Sequence, residues 1–230
     1  MKNKKLVIFG TGEIATLARY YFHHDSDYEI VAHTADDEFV TSDVFEGLPL
    51  IPFSKVVNAY PPSDYHMHVA LSYRRLNRIR EEKYNLAKEA GYTLASYVCK
   101  KAVTWPDLSI GDNCLILENQ TIQPTVKIGN NVMIWSGNHL GHGSFIGDHT
   151  YISSHVCISG HTQIGKRCFF GVNSTIRDFM KIGDEVFVAM GASVVRDAPD
   201  GSLILGAQGT TLAAETPEAK KLKKKYFDID

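Results

Sequence analysis

From Ile110 onward a large apolar residue returns every six positions without a slip, and few folds can accommodate that period. The series runs Ile110, Ile116, Ile122, Ile128, Ile134, Leu140, Ile146, Ile152, Ile158, Ile164, Phe170, Ile176, Ile182, Val188 and Val194. Gly follows directly at 111, 129, 141, 147, 165, 171 and 183. Four places after the large residue the side chain is mostly small or β-branched, as in Cys114, Val126, Val132, Ser144, Thr150, Val156, Thr162, Ser174 and Ala192. A helix repeats at 3.6 residues and a strand at 2, so neither alone gives a strict six. A three-sided coil does, because each six-residue side sends one large residue inward and then turns a corner.

Three such sides make an 18-residue coil, so residues 110–199 supply five coils. Parallel coils stack at roughly the 4.8 Å strand spacing, which sets each Ile above another in a dry ladder. The fold expected for residues 98–209 is therefore a left-handed parallel β-helix of hexapeptide repeats.

The preceding segment has a different pattern. Leu6 to Phe9 reads as a buried strand, and Gly10-Thr11-Gly12-Glu13-Ile14-Ala15 leads into a helix reaching about His24. Tyr28 to Thr34 and His66 to Ser72 read as further strands, and Leu76 to Ala90 as a helix that Gly91 stops. Alternating strands and helices predict a small α/β Rossmann-like domain with a parallel sheet over residues 1–97. The last stretch, 210–230, carries Lys220, Lys221, Lys223, Lys224 and Lys225 and reads as a solvated basic tail.

Composition narrows the function. With 24 basic and 26 acidic residues the chain has no global field for nucleic acid or an anionic membrane. Cys99, Cys114, Cys157 and Cys168 form no CxxC pair, which fits a reducing compartment better than a disulfide framework. The apolar run behind the basic start at Met1–Lys5 breaks at Gly10, too soon for a signal sequence, and no run is long enough to span a membrane. The expected location is cytoplasmic.

Two sets of residues carry chemistry. Gly10-x-Gly12-x-x-Ala15 between a strand and a helix matches the dinucleotide fingerprint in its Ala-ended form, with Asp36 and Asp37 about where a ribose partner belongs. A domain of this size holds half a dinucleotide fold, so a nucleotide diphosphate as substrate handle fits better than a whole NAD. The candidate substrate contacts are Gly10, Gly12, Asp36 and Asn77. The repeats themselves carry His139, His142, His149, His155 and His161. By hexad position His142 and His155 face outward, His142 from the flat of a side, with Gly160 one coil later. His149 and His161 read as solvated turn residues. An outward neutral imidazole in a cleft is suited to general-base work.

The stretch Leu140-Gly141-His142-Gly143-Ser144-Phe145-Ile146-Gly147-Asp148, with Ile152-Ser153-Ser154-His155, Ile158-Ser159-Gly160, Phe170-Gly171-Val172-Asn173-Ser174 and Gly191-Ala192-Ser193, resembles bacterial hexapeptide sugar acyltransferases. These include the nucleotide-amino-sugar N-acetyltransferases and the sialic-acid O-acetyltransferases. The resemblance implies acetyl-CoA as acyl donor and His142 as general base. Because one face of such a prism is too flat to bury a CoA arm, a homotrimer with three inter-subunit sites is expected, with His142 and His155 serving partly in trans. The resemblance also implies CoA contacts at Tyr151, Gly160, Val172, Met190 and Gly191. Two positions depart from the family pattern: Gly143 stands where an acidic residue often follows the histidine, and Glu13 sits in the glycine-rich loop. The absent carboxylate favours an amine acceptor over the hydroxyl acceptor of the O-acetyltransferases. A zinc enzyme of the γ-carbonic-anhydrase type, needing two histidines five apart, finds no such pair, so no metal is expected. A non-catalytic trimeric scaffold is the remaining alternative.

Overall fold

The computed structural model describes residues 2–229; Met1 of the basic start and Asp230 of the tail lie outside the described residues. The first part is a five-stranded sheet in the order β3-β4-β2-β1-β5. Its strands are β1 (Lys4–Phe9), β2 (Tyr28–Ala35), β3 (Val44–Phe45), β4 (Leu48–Pro52) and β5 (Tyr65–Val69). All pairings are parallel except the short β3 against β4. Helix α1 (Glu13–Asp25) packs Ala15, Ala18 and Phe22 with Leu6 and Ile8 on one side. Helices α2 (Phe53–Ala59) and α3 (Arg78–Glu89) cover Val7, Phe9 and Met67 on the other. Alternate residues of β1 therefore feed two cores, as the period of a strand requires.

The β3–α2 stretch carries no strong sequence signal, because its strands are short and its helix has seven residues. The strand expected over 66–72 ends at Val69, and the helix expected from Leu76 begins at Arg78. Arg75, Leu76 and Asn77 all take positive φ between 50° and 64°, which no helix tolerates.

The second part is a three-sided prism. Every residue of the six-fold series sits in a two-residue strand, and these strands form three parallel sheets. The first face comprises Ser109–Ile110, Lys127–Ile128, Phe145–Ile146, Gln163–Ile164 and Lys181–Ile182. The second comprises Tyr97–Val98, Leu115–Ile116, Met133–Ile134, Tyr151–Ile152, Phe169–Phe170, Phe187–Val188 and Leu203–Ile204. The third comprises Thr121–Ile122, His139–Leu140, Cys157–Ile158, Thr175–Ile176 and Ser193–Val194. The second face thus extends one strand beyond the repeat at each end, with Tyr97–Val98 already paired to Leu115–Ile116.

From Ile116 to Val194 the large residue of each hexad and the residue four places later are buried along the axis, with Ile110 half-buried at the end. The glycines after the large residues are where neighbouring coils touch. A Cβ added at Gly141 would lie 2.4 Å from the backbone nitrogen of Gly160.

The α1 side of the sheet docks on the second face, where Leu6, Ile8 and Phe22 join Tyr97, Leu115, Met133 and Tyr151 in one cluster. Arg80 of α3 anchors the corner between first and second faces. Its buried guanidinium donates to the carbonyl oxygens of Asn131 and His149 and to the Asn77 side-chain oxygen. Burial lowers its pKa to about 10. Arg167 adds ion pairs to Glu81 at 3.0 Å and Glu185 at 2.8 Å. The tail forms α4 (Pro217–Phe227), capped by Thr216, with exposed lysines. No helix among the described residues is long and apolar enough to cross a membrane.

Candidate functional site

A cavity of about 750 Å³ opens where the C-terminal ends of β1, β2 and β5 meet the second face of the prism. Parallel strands place such a crevice at their carboxyl ends, where the loops turn into helices. One wall is the glycine loop and start of α1. Gly10 adopts φ 135°, and a Cβ there would lie 2.7 Å from the Ala70 carbonyl oxygen and 3.2 Å from the Ala15 Cβ. Only glycine fits the first position, and the small Ala15 brings helix and strand together. Gly12, the N-cap of α1, faces open space and supplies no capping side chain. The Ala15 N–H turns back to the Gly12 carbonyl oxygen at 2.9 Å, which leaves the Glu13 and Ile14 N–H groups at the positive end of the helix dipole. Such a helix start suits an anion, and exposed Glu13 and, further along, Arg74 rim it.

The second wall holds Asp36 and Phe39 after β2. Asp36 pairs with Lys83 of α3 at 2.9 Å, and Lys83 also meets Glu82 at 2.9 Å. Burial pulls the Lys83 ammonium pKa down, but the two carboxylates outweigh it and hold it above its ordinary value. The third wall is aromatic: Trp135 and Tyr151 of the prism, with Tyr73 from the loop between β5 and α3. Tyr151 stacks on Phe169 at 5.5 Å, meets Tyr73 edge-on at 5.0 Å and accepts a hydrogen bond from Trp135 Nε1. Burial pushes its hydroxyl pKa up to about 12. Lys83, Tyr73 and Trp135 are pocket residues that the motifs in the sequence do not mark.

His142 lies elsewhere. It is the first of two turn residues at the corner between third and first faces, which corrects its placement on the flat of a side. It is exposed as expected. Its ring rests over Gly160, where an added Cβ would come within 2.9 Å of Cε1, and meets the His161 ring edge-on at 4.8 Å. One coil below, the Gln123 side-chain oxygen lies 2.9 Å from the His142 backbone nitrogen and 3.0 Å from Nδ1.

The remaining sequence candidates divide. Val172, Met190, Gly191 and His155 line the corner between second and third faces, where Met190 is 71% exposed. His155 therefore shares no corner with His142 in its own chain. Gly160 stays beside His142. Tyr151 is only 4% exposed and lies on the second face, directly opposite the His142 corner. Asn77 is not available to a ligand. It is fully buried and donates to the carbonyl oxygens of Arg167 and Cys168.

His149 is also buried, contrary to the solvated turn expected. It bonds Asn131 at 2.9 Å, and Glu81 lies 3.5 Å away. His149, His155 and His161 occupy three different corners. Among the described residues no group of three His, Cys, Asp or Glu is placed to hold a metal ion.

A three-sided prism of hexads, with an outward imidazole at one corner and a pocket at a helix start on the opposite face, is an arrangement suited to hexapeptide-repeat acyltransferase chemistry, and the repeats match that family. Residues 125–160 match the model for the bacterial transferase hexapeptide (six repeats), and 161–196 match the hexapeptide repeat of succinyl-transferase.

The acetyltransferase domain of PglB from Neisseria gonorrhoeae FA1090 is 25% identical, with a TM-score of 0.78 over 91% of this chain and 100% of that one. Its structure is also described in complex with acetyl coenzyme A. PerB from Caulobacter crescentus, in complex with CoA and GDP-perosamine, shares the fold at 22% identity and TM-score 0.78, over 88% of this chain and 97% of that one. WeeI from Acinetobacter baumannii AYE does so at 19% and 0.75, over 91% and 100%.

Proposed function

We propose that the protein transfers an acetyl group from acetyl-CoA to the amine of a nucleotide-linked amino sugar, with His142 as general base. The observation that carries this reading is the pocket. It joins an anion seat at the start of α1 to an aromatic wall on the prism, as a charged nucleotide handle and a sugar ring require. Gly10 and Gly12 would admit the diphosphate to the helix start, and Asp36 and Phe39 would meet the nucleoside. The sugar would then lie against Trp135 and Tyr151. PglB and PerB, whose structures hold acetyl-CoA or CoA and a GDP-sugar, support the same substrate classes.

In the reaction the amine nitrogen attacks the thioester carbon while His142 Nε2 accepts its proton. A backbone N–H steadies the oxyanion, the C–S bond breaks, and the imidazolium returns the proton to the leaving thiolate. A base of this kind contributes about 10²–10⁴-fold.

His142 sits on the corner opposite the second face, so a sugar held in the pocket cannot reach the imidazole of its own chain. We infer a cyclic homotrimer in which the His142 corner of one copy faces the second face of the next. The pantetheine arm would lie between that corner, with Gly160, and the neighbour's corner of Val172, Met190 and Gly191. A ring of identical head-to-tail contacts closes at three copies and makes three equal sites.

A free-thiol assay with acetyl-CoA across nucleotide-linked amino sugars, sugar hydroxyl acceptors and free sialic acid tests the reading. Thiol release confined to the nucleotide-linked amines is expected, and turnover only with hydroxyl acceptors overturns it. His142→Ala should lower kcat by at least about 100-fold with little change in KM for acetyl-CoA. Full activity of that variant removes His142 from the mechanism.

A further inference from the structure

We propose that Gln123 is the positioning residue for His142, fixing the imidazole as its Nδ1–H tautomer so that the Nε2 lone pair faces the acceptor amine. The inference rests on the reading of His142 as the base. It identifies what replaces the acidic neighbour that Gly143 does not supply.

The geometry determines the hydrogens. The His142 backbone N–H is an obligate donor, and the Gln123 side-chain atom 2.9 Å from it must therefore be the amide oxygen. That same oxygen lies 3.0 Å from Nδ1, and two acceptors cannot share a hydrogen bond. Nδ1 thus carries the proton, and in a neutral imidazole Nε2 is left as the acceptor. The ring cannot easily turn away, because Gly160 of the next coil lies against it on the side away from Gln123 and the His161 ring stands edge-on at 4.8 Å.

Gln123 follows core residue Ile122 on the coil below, and its place is set by the coil spacing. The turns packed against His142 bring Thr125 from one side and Gly160 with His161 from the other. His161 is the titratable group among them. The orienting partner is a neutral amide. It sets the tautomer without the electrostatic stabilisation of imidazolium that a carboxylate brings.

The test combines ring-nitrogen NMR of His142 in the intact protein with steady-state kinetics across pH. A single Nδ1–H tautomer is expected for the native chain. Gln123→Ala should give a tautomer mixture and a kcat lower by about ten- to a hundredfold, with KM for acetyl-CoA nearly unchanged. Gln123→Glu should restore the single tautomer and move the acid limb of the kcat profile up by about one pH unit, since a carboxylate beside the ring favours its charged form. Native kcat in Gln123→Ala, or a tautomer mixture in the native chain, overturns the proposal. The nitrogen shifts need no turnover, so they separate an error about Gln123 from an error about the reaction, which His142→Ala tests.

Discussion

At the scale of single residues, the candidate site is built of side chains whose neighbours leave them one orientation. Gly160 is the clearest case. Adding a methyl group there puts a carbon within 2.9 Å of His142 Cε1, and the end of a side chain gives way before the coil does. Gly160→Ala should therefore keep the native melting temperature while kcat drops about tenfold or more, because a base misplaced by even an ångström loses much of its effect. Thermal unfolding alongside initial rates checks both halves.

His68 is the opposite case, a buried histidine with no catalytic part. Its Nδ1 lies 2.9 Å from the Ala95 carbonyl oxygen, and burial pushes its pKa down to about 4. The unfolded chain takes up that proton near pH 6.5, well before the folded one does. Stability present at pH 7 is thus lost as pH falls through this window, by about 1.4 kcal/mol per unit. His33 and His149 act in the same direction, also through burial. Urea unfolding should show lower stability at pH 5 than at pH 7. His68→Gln should shrink that difference by about 2 kcal/mol, whatever it does to stability at pH 7.

At the scale of elements, what the sequence reveals depends on how local the signal is. The six-fold series places each short strand of the three faces, because one inward residue per side is a strictly local requirement. Gly10, Gly12 and Ala15 likewise mark the β1–α1 turn, where a positive φ and a close helix–strand contact leave little choice. Asn77 looks polar and available in sequence, yet it spends its hydrogen bonds on carbonyls about 90 residues away. Only the docking of α3 on the prism reveals that.

The docked face itself is legible at a period of 18. The residues just before the core positions are Tyr97, Leu115, Met133, Tyr151, Phe169 and Phe187 on the second face. On the first they are Ser109, Lys127, Phe145, Gln163 and Lys181. A stripe of outward apolar residues along one side of a prism marks a surface meant to be covered, and it points to Tyr151 and its neighbours. Gly12 allows a test at this scale. Its backbone, at φ −103°, already suits an N-cap, and its Cβ direction is open. Gly12→Asp should stabilise α1 by about 0.5–1 kcal/mol while its carboxylate occupies the anion seat and blocks nucleotide binding. A raised melting temperature together with lost titration heat for the nucleotide sugar is the expected pair of results.

At the scale of the whole molecule, the triangle separates the parts. A corner and the face opposite it cannot serve one substrate, so under the proposed reaction the pocket and the imidazole of a single chain would belong to different sites. The proposed division between an α/β part that binds and a prism that reacts therefore calls for an assembly. Subunit mixing measures this most directly. His142→Ala lacks the base and Gly12→Asp lacks the nucleotide seat, so each alone should be inactive. Unfolded together in equal amounts and refolded, they should form mixed trimers in which about a quarter of the sites pair an intact base with an intact pocket. Recovery of roughly a quarter of native activity is the predicted result, and a mixture as inactive as its components would contradict a site shared between copies.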